Sequence, residues 1–100
     1  MEIKQTKLDN TATLALIGRL DTVTSSKLGD ELAQLFKDGP VELVFDFAEL
    51  EYISSAGLRV LLIAQKQCNA QATSMVIVKA NDSVREVFEI TGFSNILTVQ

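Results

Sequence analysis

Two adjacent serines, Ser54 and Ser55, stand where an apolar strand gives way, through an acidic turn, to a strongly hydrophobic helix. The run reads Phe45-Asp46-Phe47-Ala48-Glu49-Leu50-Glu51-Tyr52-Ile53-Ser54-Ser55-Ala56-Gly57-Leu58-Arg59. Hydroxyls placed there lie at the positive end of a helix dipole, where an added phosphate is electrostatically tolerated. The spacing therefore supports modification or docking, not catalysis. The chain contains no histidine, which removes the commonest general base and the commonest metal ligand. Neither a Ser-His-Asp nor a Cys-His nucleophile system can be assembled. Neither GxGxxG nor GxxxxGKS/T occurs, so the two familiar phosphate cradles are missing. Cys68 stands alone, which excludes an internal disulfide and a CxxC metal site. No catalytic residue, metal ligand or cofactor is expected, and the chain reads as a non-enzyme.

Each candidate residue has a structural and a functional reading. Ser55 is expected to cap the helix by accepting a backbone N–H, and such a capping serine stays accessible to a kinase. Asp21 reads either as the cap of a helix beginning at Thr22 or as a partner contact, and Asp46 as an acceptor that stabilises a turn. Both lie at expected strand ends, which gather with the serine loop on one rim of a sheet. Gly57, inside the first helical turn, implies close packing of helix on sheet or close approach of a partner's backbone. Arg59 reads as a charged contact to a partner or phosphate, or as a solvated side chain. Tyr52 reads as a contact residue or as buried at a strand end. Leu58, Val60, Leu61, Leu62 and Ile63 are too many apolar residues for one buried stripe, so some are expected at the surface beside the loop.

The elements that hold these residues follow from periodicity. Ile3–Leu8 is expected as an edge strand, turning at Asp9-Asn10. Thr13–Arg19 is a near-continuous apolar run, read as a strand covered on both faces, with Gly18 bending its end. From Thr22 to Lys37 the pattern becomes helical, with Leu28, Leu32, Leu35 and Phe36 on one stripe and Gly39-Pro40 as the stop. Val41–Phe47 is a central strand, Leu58 to about Asn69 a deeply buried helix, and Ser74–Lys79 another strand. Asn81-Asp82-Ser83 opens a third helix, with Ser83 and Glu86 matching a capping box. Val84, Val87, Phe88 and Thr91 form its inner face, with Gly92 at its end. Asn95–Val99 closes the chain as a strand. The class is α/β: a mixed sheet of about five strands with three main helices, in the order β-β-α-β-α-β-α-β, as one domain over residues 1–100.

Composition narrows the partners. At 47% apolar and 22% charged residues the chain is globular, with an expected radius of gyration of ~13 Å. A net charge of −4 with scattered basic residues argues against nucleic acid. No segment reaches the ~20 apolar residues of a membrane-spanning helix, and the start lacks a signal peptide. A cytoplasmic protein without direct membrane insertion is expected.

Gly18-Arg19-Leu20-Asp21 after the second strand, Asp46 ending the third, and Tyr52-Ile53-Ser54-Ser55-Ala56-Gly57-Leu58 opening the next helix resemble a STAS domain. The likeness is greatest to the bacterial anti-sigma factor antagonists and spans essentially the whole chain. The resemblance implies a protein-binding switch. The unphosphorylated antagonist would bind an anti-sigma factor that is also an ATP-dependent serine kinase, releasing a sigma factor to permit transcription. Phosphorylation of the loop would end the interaction, and a metal-dependent serine phosphatase would restore it. The family's loop reads Asp-Ser-Ser/Thr-Gly-Leu. Laid on this chain, Ser54 takes the Asp position, Ser55 that of the phosphoacceptor and Ala56 that of the second hydroxyl, with Ser54 as the alternative acceptor. The partner surface implied comprises Asp21, Tyr52, Ser54, Ser55, Ala56, Gly57, Leu58 and Arg59. A second reading is an accessory subunit of a lipid-transport ATPase. A third, nucleotide binding on the strand-end rim, is opposed by the lack of a glycine-rich loop and of a basic cluster.

Overall fold

The computed structural model describes residues 1–100, with a radius of gyration of 12.3 Å. Its strands are β1 (Glu2–Leu8), β2 (Thr11–Leu20), β3 (Glu42–Asp46), β4 (Leu50–Ile53), β5 (Met75–Val78) and β6 (Thr98–Val99). Its helices are α1 (Thr22–Lys37), α2 (Ser55–Ala70) and α3 (Asp82–Thr91), with a 3₁₀ turn at Phe93–Asn95 before β6. The sheet has six strands, not five. The lane order is β1-β2-β3-β5-β6, with β1 antiparallel on the edge and every other pairing parallel.

The additional strand, β4, explains how the site is placed. β2 is ten residues long and pairs first with β3 through Thr11–Ala15, then with β4 through Gly18–Leu20. β3 and β4 thus occupy one lane, interrupted by the turn at Phe47-Ala48-Glu49. Asp46 holds that turn by accepting the Ala48 N–H at 2.9 Å, and the Gly18 N–H donates to the Glu49 carbonyl at 2.9 Å. Gly18 has φ +103°, open to glycine, where β2 changes partner and the register shifts. The bend expected at Gly18 is present, but the strand runs on to Leu20.

Side-chain alternation shows which face is covered. Ala12, Leu14 and Leu16 of β2 are buried with Leu43 and Phe45 of β3 and Met75 and Ile77 of β5. The residues between them, including Thr13, Ala15, Ile17, Val44, Val76 and Val78, are only half-buried. The expectation that β2 is covered on both faces therefore fails. Its run looks continuous because Ala15 and Ile17 on the open face are themselves apolar. Successive right-handed crossovers step across the sheet in one direction and so place the helices on one side. There Leu28, Leu32 and Leu35 of α1, Leu58, Leu61 and Ala64 of α2, and Val84 and Phe88 of α3 complete a core of 23 buried residues.

Several boundaries move for identifiable reasons. α2 begins at Ser55, three residues before Leu58. Asn81, not Ser83, caps α3, its side chain accepting the Val84 N–H at 2.8 Å; no Ser83–Glu86 box forms. Thr91 is exposed, its hydroxyl donating to the Val87 carbonyl at 2.6 Å. Gly92 ends the helix in the left-handed region at φ +80°. The last strand shrinks to Thr98–Val99 because the 3₁₀ turn takes Asn95. No helix is long and apolar enough to cross a membrane.

Candidate functional site at the strand-end rim

β2 and β4 end side by side, Leu20 opposite Ile53, and the Ser54 N–H closes the pair by donating to the Leu20 carbonyl at 2.9 Å. The next residue of each strand is a helix cap: Asp21 for α1 and Ser54 for α2. Asn81, capping α3, sits at the other end of β4, donating from Nδ2 to the Leu50 carbonyl at 3.0 Å. Two helix N-termini, those of α1 and α2, thus meet at one edge, and that of α3 is tied to the start of β4.

Asp21 caps α1 through one carboxylate oxygen. Its Oδ1 accepts the Val23 and Thr24 N–H groups at 3.1 and 3.0 Å, while Thr24 Oγ1 accepts the Asp21 N–H at 2.8 Å. The Thr24 backbone and side-chain hydrogen bonds hold its carboxyl below the usual range, so it stays ionised. The capping reading of Asp21 is correct.

The serines divide the work differently from the expectation. Ser54, half-buried, is the cap of α2, its Oγ accepting the Gly57 N–H at 3.2 Å. Ser55 is the first helical residue and is exposed. Ser55 is therefore not the cap, because the Leu20–Ile53 pairing ends β4 one residue earlier than the serine pair alone implies.

Gly57 is buried, and a Cβ there would lie 2.8 Å from Leu20 Cγ and 2.9 Å from Ile53 Cγ1. The first turn of α2 thus sits on β2 and β4 with room only for hydrogen, which makes packing the reason for this glycine. Leu58 is also buried, so it anchors the loop from below. Tyr52 is exposed, and the Arg19 guanidinium stacks on its ring with Cζ 4.2 Å from the centroid. Ala56 is half-buried and Arg59 exposed, and both line a shallow depression with Thr22, Ser26 and Asp30. Ile63 is exposed, Val60 and Leu62 are half-buried, and Leu61 is buried, so the apolar excess of α2 is shared between core and surface.

Two placements do not follow from the local sequence. Asp46 does not join the rim: it pairs with Ala15, and the whole of β4 separates it from Ser54. Arg19 enters the sequence only as part of Gly18-Arg19-Leu20-Asp21, and its place opposite Tyr52 follows once β4 is known. The one advance signal was the alternation of Arg19 with Leu20, which turns Arg19 outward.

The STAS domain family profile matches residues 2–100. BtrV of Bordetella bronchiseptica, provisionally named an anti-sigma factor antagonist, is 37% identical over 99 residues, covering 99% of this chain and 85% of that protein. The anti-sigma-B factor antagonist of Listeria monocytogenes is 28% identical over 100 residues, 100% of this chain and 87% of that one. Among solved structures, the anti-sigma factor antagonist SpoIIAA in its unphosphorylated form superposes with a TM-score of 0.87 at 19% identity, covering 99% and 88% of the two chains. Profile, sequence and fold agree: this chain belongs to the STAS domain family, among the anti-sigma factor antagonists.

Proposed function

We propose that the chain is a phosphorylation-controlled antagonist whose strand-end rim binds an anti-sigma factor that is also a serine kinase. Binding frees a sigma factor, modification of Ser55 ends the interaction, and a metal-dependent serine phosphatase restores it. The observation that carries this reading is the contrast between the serines. Ser54 Oγ is occupied in capping, whereas Ser55 is exposed on the first turn. A phosphate on Ser55 adds about −1.5 to −2 charges where first-turn N–H groups lack intrahelical partners. Arg59 stands one helical turn further on, at the spacing where a side chain meets its i+4 neighbour. The domain can hold the phosphate without unfolding, so inactivation arises at the interface by clash and repulsion. Glu49 and Glu51, both exposed, sharpen that repulsion for a partner matched to the unmodified rim.

The partner surface on this reading is Tyr52, Ser55, Ala56 and Arg59, with Asp21, Ser54, Gly57 and Leu58 fixing its shape. The test is binding to the purified anti-sigma factor of the host, followed by kinase treatment and phosphopeptide mapping. Phosphate is expected on Ser55, and Ser55→Ala should remain unmodified while Ser54→Ala is modified. Phosphate retained on Ser55→Ala would overturn the assignment. Recovery from lysate of a membrane-transport ATPase by both wild type and Ser55→Asp would replace the switch with the accessory-subunit reading.

A further inference from the structure

Between α1 and α2 runs a groove of about 490 Å³, walled by Ala33 and Phe36 on one side and Val60 and Ile63 on the other, with Gly29 and Ala64 set deeper. At its upper end it meets the shallow depression at Ala56 and Arg59, the two sharing Gly29 and Val60. The groove thus continues from the serine loop down the seam of the helices. We propose that it receives an amphipathic helix of the same anti-sigma factor, lying antiparallel to α1 and α2; this rests on the function proposed above.

Four observations select that occupant. Gly29 sits inside α1, where glycine is the poorest helix former after proline, yet a Cβ there would meet nothing within 4 Å. No contact within the chain accounts for it. What it leaves open is the junction of groove and depression, where an incoming backbone would pass closest. Length agrees: the sixteen residues of α1 span about 24 Å, room for a partner helix of similar reach. The apolar walls remain partly in water, with Ile63 58% exposed and Phe36 half-buried, as a helix-in-groove site requires before it is filled.

Charge sets the direction. Because β2, β3, β4 and β5 are parallel, α1 and α2 both run back from the rim and point the same way. Their dipoles add, so a third helix packs best with the opposite sense, its C-terminal carbonyls at the rim. Arg59 stands at that end, beside Asp30, and Lys37 lines the other end, where it would meet the acidic first turn that helices favour. The geometry links groove to switch: a phosphate on Ser55 would face the negative end of the docked helix.

The experiment is calorimetric titration of the purified anti-sigma factor with wild type, Ser55→Asp, Ala33→Glu, Ile63→Glu and Gly29→Leu, alongside thermal melts. Ala33 and Ile63 are exposed and far from the serine loop, so both variants should fold as wild type and bind about tenfold more weakly. Gly29→Leu should melt higher, because leucine favours the helix and its Cβ meets no atom within 4 Å, and still bind about tenfold more weakly. A purely structural Gly29 would raise the melting temperature and leave binding unchanged. Wild-type affinity in all three groove variants, with Ser55→Asp alone defective, overturns the groove and leaves the switch standing. A wild-type chain that does not bind the anti-sigma factor overturns both.

Discussion

The starts of α1 and α2 are neighbours on one rim and are built to opposite ends. α1 opens on a carboxylate held by two backbone N–H groups, with Thr24 reaching back to close the box. α2 opens on a single hydroxyl bond from Ser54, has no acidic residue in its first turn, and presents Ser55 to solvent. The first start already holds its negative charge; the second is able to receive one. A rim that carries one fixed and one changeable anion can use the fixed one to hold geometry while the other changes the signal.

Four perturbations test that contrast, from the largest expected effect downward. Ser55→Asp places a charge where the second start has none, and affinity for the anti-sigma factor should fall about a hundredfold with the fold intact, read by calorimetry and far-UV dichroism. Gly57→Ala pushes a methyl against Leu20 and Ile53, both buried, and should destabilise the domain by about 1–3 kcal/mol in a denaturant titration. Asp21→Asn should remove part of the pH dependence of stability. Because the Thr24 hydrogen bonds lower the folded pKa of Asp21 below the usual carboxylate value, its contribution is present above the unfolded pKa and lost as pH falls through the lower folded value. Thermal melts between pH 6 and pH 2 should therefore fall more steeply for wild type than for Asp21→Asn. Ser54→Ala removes one longer bond at the second start and should cost about 1 kcal/mol without preventing phosphorylation of Ser55.

The sequence made the helices and most strands legible because their apolar residues recur at regular spacing. α1 matched its Leu28, Leu32 and Leu35 stripe and ended at Lys37 before Gly39. β4 was hidden because four residues with Glu51 and Tyr52 both exposed show no period of two. Its strand character comes from pairing with β2, a contact distant in sequence. Everything mislaid at the site follows from that omission. Without β4, Asp46 falls at the rim instead of in the middle of a lane, Arg19 has no partner, and either serine serves equally as a cap. The Leu20–Ile53 pair resolves the choice of cap, and no local preference could have done so. Asn81 displaced Ser83 for a similar reason, since its amide is also held by the Leu50 carbonyl of β4.

β4 also differs from the rest of the sheet in how it can come apart. It pairs with β2 alone, its other edge hydrogen-bonded only where Asn81 grips Leu50 and otherwise covered by α3, and the turn at 47–49 separates it from β3. A segment with so few backbone partners opens at lower free energy than the central strands and without global unfolding. Amide hydrogens of residues 48–54 should exchange ahead of those of β3 and β5. Leu50 and Ile53 of this segment belong to the core, so whatever loosens the chain leading into Ser55 also draws on the packing of β4 under α2 and α3.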